Sequence, residues 1–190
     1  MRRSLLKYFI PILLCGGLAG CGRSFPTTPQ GRLDEAIKKL AASTREEERF
    51  YALDDAAKGS FEVGKIEEAR KYAKDLLTLA QKFQGNWNYG NAIQDGNLVL
   101  GRIALKEGRT EEAKQYLLEA GKSPGSPQMN SFGPNMSLAR DLLEKGERET
   151  VLQYFELCRK FWKMGQDQLD QWNKDVRAGR TPDFGANLVY

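Results

Sequence analysis

Three thiols, Cys15, Cys21 and Cys158, are the only cysteines in the chain, and there is no histidine. A thiolate is a nucleophile and a metal ligand. Without imidazole, however, Ser–His and Cys–His pairs, His-ligated zinc and imidazole acid–base catalysis are all removed. Carboxylates are plentiful, as in Glu46-Glu47-Glu48, Glu67-Glu68 and Glu111-Glu112. Each run falls where a helix is expected to begin, and the positive end of the helix dipole accounts for it without catalysis. No glycine-rich phosphate loop and no cysteine cluster is present. The sequence therefore reads as a protein that is not an enzyme and uses no cofactor and no metal. Three features are left to carry function. They are the thiol of Cys21, the cations Lys58, Arg102 and Arg140, and the aromatic pair Trp87 and Tyr89.

The surroundings of Cys21 bear on its role. Residues 1–7 (MRRSLLK) carry three positive charges and no acid, residues 8–19 are almost wholly apolar, and small residues follow. That is the three-part pattern of a secretory signal, and it is shorter than the roughly 20 apolar residues of a spanning helix. Pro11 and the Gly16-Gly17 pair disfavour a buried helix there. Leu18-Ala19-Gly20-Cys21 resembles the lipobox of bacterial lipoproteins. The resemblance implies that the Cys21 sulfur takes a diacylglycerol, that residues 1–20 are removed, and that the new amine is acylated. Two or more acyl chains hold a protein firmly to a bilayer. Gly22, where retention at the inner membrane calls for Asp, implies an address in the bacterial cell envelope at the outer membrane, facing the periplasm.

Loss of residues 1–20 takes three positive charges from a net charge of +4. The remainder is nearly neutral, so no nucleic-acid partner is expected. Cys158 is then the one free thiol, and no intrachain disulfide is possible.

The elements that must position the remaining candidates are helical. Residues 22–31 (GRSFPTTPQG) read as an extended stretch, and residues 21–32 as a lipidated tether. From Leu33 onward helical spacing prevails, with a capping box expected at Thr44 and Glu47. Residues 61–69 (FEVGKIEEA), 105–113 (LKEGRTEEA) and 143–151 (LEKGERETV) repeat one arrangement, with the glycines 44 and then 38 residues apart. A helix runs into Gly64, Gly108 or Gly146, and an acid-rich turn opens the next helix. Glycine suits the left-handed residue that ends a helix, and repeats of this length suggest stacked helical hairpins.

Around each glycine the small and apolar positions resemble those of the tetratricopeptide repeat. They are Ala57, Gly101 and Ala139 seven before, and Ala69, Ala113 and Val151 five after. Ala73, Leu117 and Phe155 follow nine after, then Leu76, Ala120 and Cys158 twelve after. Departures stand at the early Trp position (Leu53, Asn97, Asn135) and the early Tyr position (Ser60, Ala104, Leu142). The resemblance covers about residues 49–162. It implies an all-α, right-handed solenoid of about three tetratricopeptide-like helix–turn–helix hairpins, with Leu169, Trp172 and Val176 on a capping helix. The helical-repeat domain is placed at residues 33–178, and residues 179–190 form a C-terminal tail expected to pack back on it.

In that family the first helix of each hairpin lines a concave groove. The resemblance places Lys58, Arg102 and Arg140 there, with Leu98, Leu105 and Met136 beside them. Such a row would hold the carboxylates of a peptide. Alternatively Lys58–Glu62 and Arg140–Glu144 pair along their own helices. In residues 84–97 (QGNWNYGNAIQDGN), read as a connector, Trp87 and Tyr89 among amides suit stacking on a glycan, or form a long turn whose aromatics plug the gap between hairpins. Residues 123–135 (SPGSPQMNSFGPN) read as a loop over the groove, or as a connector that starts a helix at Pro134. The expected function is a membrane-anchored scaffold that binds an envelope protein or peptide, with glycan or peptidoglycan binding as the alternative.

Overall fold

The computed structural model describes residues 28–188. Cys15, Cys21 and the signal-peptide reading of residues 1–20 lie outside the described residues. Among the described residues every regular element is helical, and no strand occurs. The α-helices are α1 (Pro29–Ala42), α2 (Glu46–Glu62), α3 (Ile66–Ala80), α4 (Tyr89–Lys106), α5 (Thr110–Gly121), α6 (Pro127–Phe132), α7 (Ser137–Leu143), α8 (Arg148–Cys158) and α9 (Gln166–Arg177).

The three expected hairpin turns join α2 to α3, α4 to α5 and α7 to α8. Gly64, Gly108 and Gly146 have φ of 80°, 77° and 86°, the left-handed region that costs glycine nothing. Each turn closes with the same long bond. Lys65 N donates to Ser60 O (2.9 Å), Arg109 N to Ala104 O (2.9 Å) and Glu147 N to Leu142 O (3.0 Å). This ties off carbonyls that a helix end otherwise leaves open.

Packing is local in sequence. Each member of a hairpin contacts the other, α2 contacts α4, α4 contacts α7, and α5 contacts α8. At one end α1 lies on α2, and at the other α9 lies on α8. The side chains expected at the seams are there: Ala57, Ala139, Ala69, Ala113, Val151, Ala73, Leu117, Phe155, Leu76, Ala120 and Cys158 are all buried. Gly101 shows why small residues are needed. A Cβ on it would meet Tyr116 Cβ at 3.0 Å and press into Leu138. The capping face of α9 is also as expected, with Leu169, Trp172 and Val176 buried.

Four boundaries differ from expectation. The first helix starts at Pro29, inside the stretch read as tether, because Thr28 Oγ1 caps Gly31 N at 3.1 Å and Pro29 suits the first helical turn. The box at the start of α2 is one residue later, with Glu48 reaching back to Thr44 N (3.1 Å) and Arg45 N (3.3 Å). Most of residues 84–97 is not a connector, since α4 begins at Tyr89. In residues 123–135 the helix does not start at Pro134. The segment holds α6, capped by Ser126 Oγ on Met129 N (3.1 Å), and α7 begins at Ser137.

The tail packs back, as expected. Phe184 is buried against Trp172, with ring centroids 5.0 Å apart. Asn187 Nδ2 donates to Phe132 O and Pro134 O, both at 2.9 Å, and Asn187 O accepts from Met136 N at 2.7 Å. Residues 183–188 therefore belong to the helical domain.

Candidate functional site

Helices α2, α4 and α7 bring Lys58, Arg102 and Arg140 to their shared seams, where two of the cations bridge from one hairpin to the next. Lys58 Nζ lies 3.2 Å from Asp54 Oδ2 on α2 and 3.0 Å from Asp95 Oδ2 on α4. Arg102 Nε on α4 lies 2.7 Å from Asp141 Oδ2 on α7. Arg140 lies 3.4 Å from Asp141 and 3.9 Å from Glu144. The Arg140–Glu144 pairing is thus present, whereas Lys58 turns away from Glu62, which Arg32 of α1 holds at 2.7 Å.

The expected groove lining separates into two kinds. Leu98 and Met136 are fully buried, so they form core between hairpins and present no surface to a partner. Leu105 is only partly buried at the edge of the same cluster. In a separate apolar cluster, Phe61 lies under two cations, with Arg102 Cζ and Lys106 Nζ each 4.7 Å from the ring centre. Such contacts contribute about 0.5–1 kcal/mol at exposed sites.

Burial governs the charge at the α2–α4 seam. Desolvation pushes the Asp54 carboxyl up to about 6, against the pull of Lys58, and the neighbouring Asp95 charge adds to the rise. Burial alone would lower the Lys58 ammonium, but Asp54 and Asp95 overcome it and hold the group above its ordinary range. Asp54 Oδ1 is buried without a hydrogen-bond donor. Two carboxylates share one ammonium, so the cluster carries an excess negative charge at neutral pH.

Beside this cluster a cleft of about 180 Å³ opens between α2, α4, α6 and the tail. Lys58, Asp95, Asn91, Gln128 and Phe132 line it, and Phe132 is 77% exposed. Its floor rests on a polar network that joins three separate elements. Gln94 Nε2 donates to Tyr154 Oη (3.0 Å), Tyr154 Oη donates to Asn135 O (2.9 Å), and Asn135 N donates to Gln94 Oε1 (3.1 Å). Sequence reasoning missed Asp95 and Gln94, whereas Phe132 falls in the segment read as a loop over the groove. The one local signal was Asp54, four residues before Lys58 and so on the same helix face.

Trp87 and Tyr89 part company. Trp87 is 53% exposed and stacks on Tyr51 of α2, with centroids 5.9 Å apart. Tyr89 starts α4 and packs against the Phe50–Leu53 cluster. Tyr51 Oη in turn reaches Glu47 (3.3 Å) and Asn86 (3.2 Å). Cys158 is buried, which pushes its thiol well above the ordinary range and leaves it inert. Among the described residues no group of acids, cysteines or histidines is placed to hold a metal ion, and no helix is long and apolar enough to cross a membrane. No family model, no curated protein and no solved structure matches the chain.

Proposed function

We propose that the chain is a lipid-anchored, tetratricopeptide-like right-handed solenoid that serves as a protein- or peptide-binding scaffold in the bacterial cell envelope. The observation that carries this reading is the recurrence of one hairpin. Three left-handed glycines, three identical closing bonds and buried small residues at matching offsets accompany first helices that touch in series. Stacked hairpins of this kind present an extended face for partners. The lipobox-like Leu18-Ala19-Gly20-Cys21 supports the anchor, and tethering raises the effective concentration of the scaffold at the membrane.

Crosslinking in intact cells tests the reading. The native protein should fractionate with membranes, begin at Cys21 and yield a defined adduct. Cys21→Ser should lose the membrane fraction. A purified native chain that starts at Met1 overturns the anchor, and absence of any adduct overturns the scaffold. A second reading, binding of glycan or peptidoglycan, is favoured by the exposed Trp87 stacked on Tyr51. Quenching of Trp87 fluorescence by peptidoglycan fragments, absent in Trp87→Leu, tests it.

A further inference from the structure

We propose that the edge of the stack formed by Trp87, Tyr51 and the C-terminal end of α1 rests on a phospholipid surface, an inference that stands on the Cys21 anchor proposed above. Chain length sets the reach. Seven residue steps separate Cys21 from Thr28, and whatever their conformation they span at most about 25 Å at roughly 3.3–3.6 Å each. The 14 residues of α1 rise about 21 Å. A lipidated Cys21 therefore keeps Thr28 near the bilayer and lets α1 lie along it, with either end level with the anchor. Helices α1 and α2 run antiparallel, since Arg32 meets Glu62 at 2.7 Å and Lys39 meets Asp55 at 4.0 Å. Tyr51 accordingly lies by the end of α1, where it lines one groove with Ala42 and Ala52, and Trp87 stacks on it.

Exposure selects Trp87. Among the described residues three large apolar side chains are more than half exposed, namely Trp87, Phe132 and Met164. Phe132 on α6 and Met164 after α8 belong to later hairpins, each displaced by about 8–10 Å of helix packing from the one before. Of the three, Trp87 stands at the anchored end.

The chemistry of this edge agrees. Residues 83–94 (FQGNWNYGNAIQ) hold no charged residue, in a chain where 28% are charged. Charges are costly to take out of water, whereas an indole suits the headgroup layer. The flanking charges are paired, Lys82 with Glu46 and Arg45 with Glu48, so the contact needs no anionic lipid. The indole is also held in place. Asn86 Nδ2 donates to Glu47 Oε1 (3.1 Å), Asn86 Oδ1 accepts from Asn88 N (2.8 Å), and Tyr89 N donates to Asn86 O (3.0 Å). A ring fixed beforehand avoids the cost of being ordered at the surface.

The test is fluorescence of the native lipidated chain in phosphatidylcholine vesicles, plain or carrying bromine on the acyl chains close to the headgroups. Trp162 and Trp172 are buried, so the difference between the native chain and Trp87→Leu isolates Trp87. Its emission should shift to the blue in plain vesicles and fall at least about twofold in brominated ones. Trp87 is 53% exposed, so its replacement leaves the core intact, and Trp87→Phe serves as a second reference. Flotation of the same samples reads the anchor separately. A chain that floats while its Trp87 emission ignores bromine overturns this proposal and leaves the anchor. A chain that does not float overturns the anchor and this contact with it. Quenching of Trp87 by peptidoglycan fragments but not by brominated lipid assigns the ring to the glycan and overturns the membrane contact.

Discussion

Lys58 on α2 donates to Asp95 on α4 across the seam between two hairpins, 3.0 Å from Nζ to Oδ2. The same ammonium holds Asp54, so removal of Lys58 strands the buried Asp54 carboxylate beside the part-buried Asp95. Breaking a buried pair from one side costs about 3–5 kcal/mol. Lys58→Met is expected to lose that much in urea denaturation. Replacing the acids as well, in Lys58→Met/Asp54→Asn/Asp95→Asn, should restore most of the loss. A Lys58→Met variant that loses under about 1 kcal/mol would contradict the seam's energetic role.

The excess charge also sets a pH dependence. Burial lifts the Asp54 carboxyl to about 6 in the fold, well above an unfolded aspartate. The folded state therefore binds this proton more readily, and its contribution to stability is greatest in acid and is lost as pH rises through about 6. Glu48, Glu107 and Asp175 are shifted the other way by their arginine partners and lose stability in acid. Only the difference between variants isolates Asp54. Asp54→Asn should gain on the wild type as pH rises from about 4 to about 6, because the variant lacks the opposing term. Parallel melting-temperature curves for the two proteins would refute this assignment.

How much of this was legible depended on whether the cause was local. Gly64, Gly108 and Gly146 were readable because a left-handed residue followed by acids is a local event, and all three have positive φ. Ala69, Ala73 and their counterparts were readable because only small or apolar side chains fill a helix seam. The start of α4 was not. Gln94 and Asn97 look like loop residues, but Gln94 lies in the helix and is satisfied by Tyr154, 60 residues away. Leu98 and Met136 were misplaced for a related reason. Helical phase gives a side, but it does not reveal that the next hairpin and residues 123–135 close over it. Thr28-Pro29 was a readable cap, overlooked because its neighbours are rich in Pro, Gly and Thr.

That distant partnership is itself measurable. Tyr154→Phe removes both a donor to Asn135 O and an acceptor for Gln94 Nε2. Leaving buried polar groups unpaired costs about 1–3 kcal/mol. Gln94→Leu should cost a similar amount. The double variant should cost clearly less than the sum, since each change breaks the same link. Strict additivity would mean that the two side chains do not act together.

Two glycines should fail for different reasons. Gly108 has open space around its α-carbon but φ of 77°, so Ala there should cost about 1–2 kcal/mol and Asn should recover part of it. Gly101 has ordinary helical backbone but no room, because a Cβ would press on Leu138 and Tyr116. Ala there should overpack the seam by about 1–3 kcal/mol, offset in part by better helix propensity. Gly101→Ala should cost less in a Leu138→Ala background than in the wild type, although Leu138→Ala is itself destabilising, and the cost of Gly108→Ala should be the same in both backgrounds. A reduced cost for both glycines, or for neither, would break the distinction between strain and crowding.

The tail gives the last comparison. Phe184 is buried between Trp172 and Phe155, with centroid distances of 5.0 and 6.2 Å, and Trp172 Nε1 donates to Asp183 O at 3.1 Å. Phe184→Ala should lose about 3–5 kcal/mol. If the tail holds the cleft as well as the core, exchange of the Met136 amide, which donates to Asn187 O at 2.7 Å, should rise by more than the global loss predicts. Asn187→Ala should raise exchange around Phe132 and Pro134 with little global change, because it removes two bonds from one side chain and leaves Phe184 seated. If instead Met136 exchange tracks only the global loss in Phe184→Ala, and exchange around Phe132 and Pro134 is unchanged in Asn187→Ala, the tail stabilises the end of the stack and does nothing for the cleft.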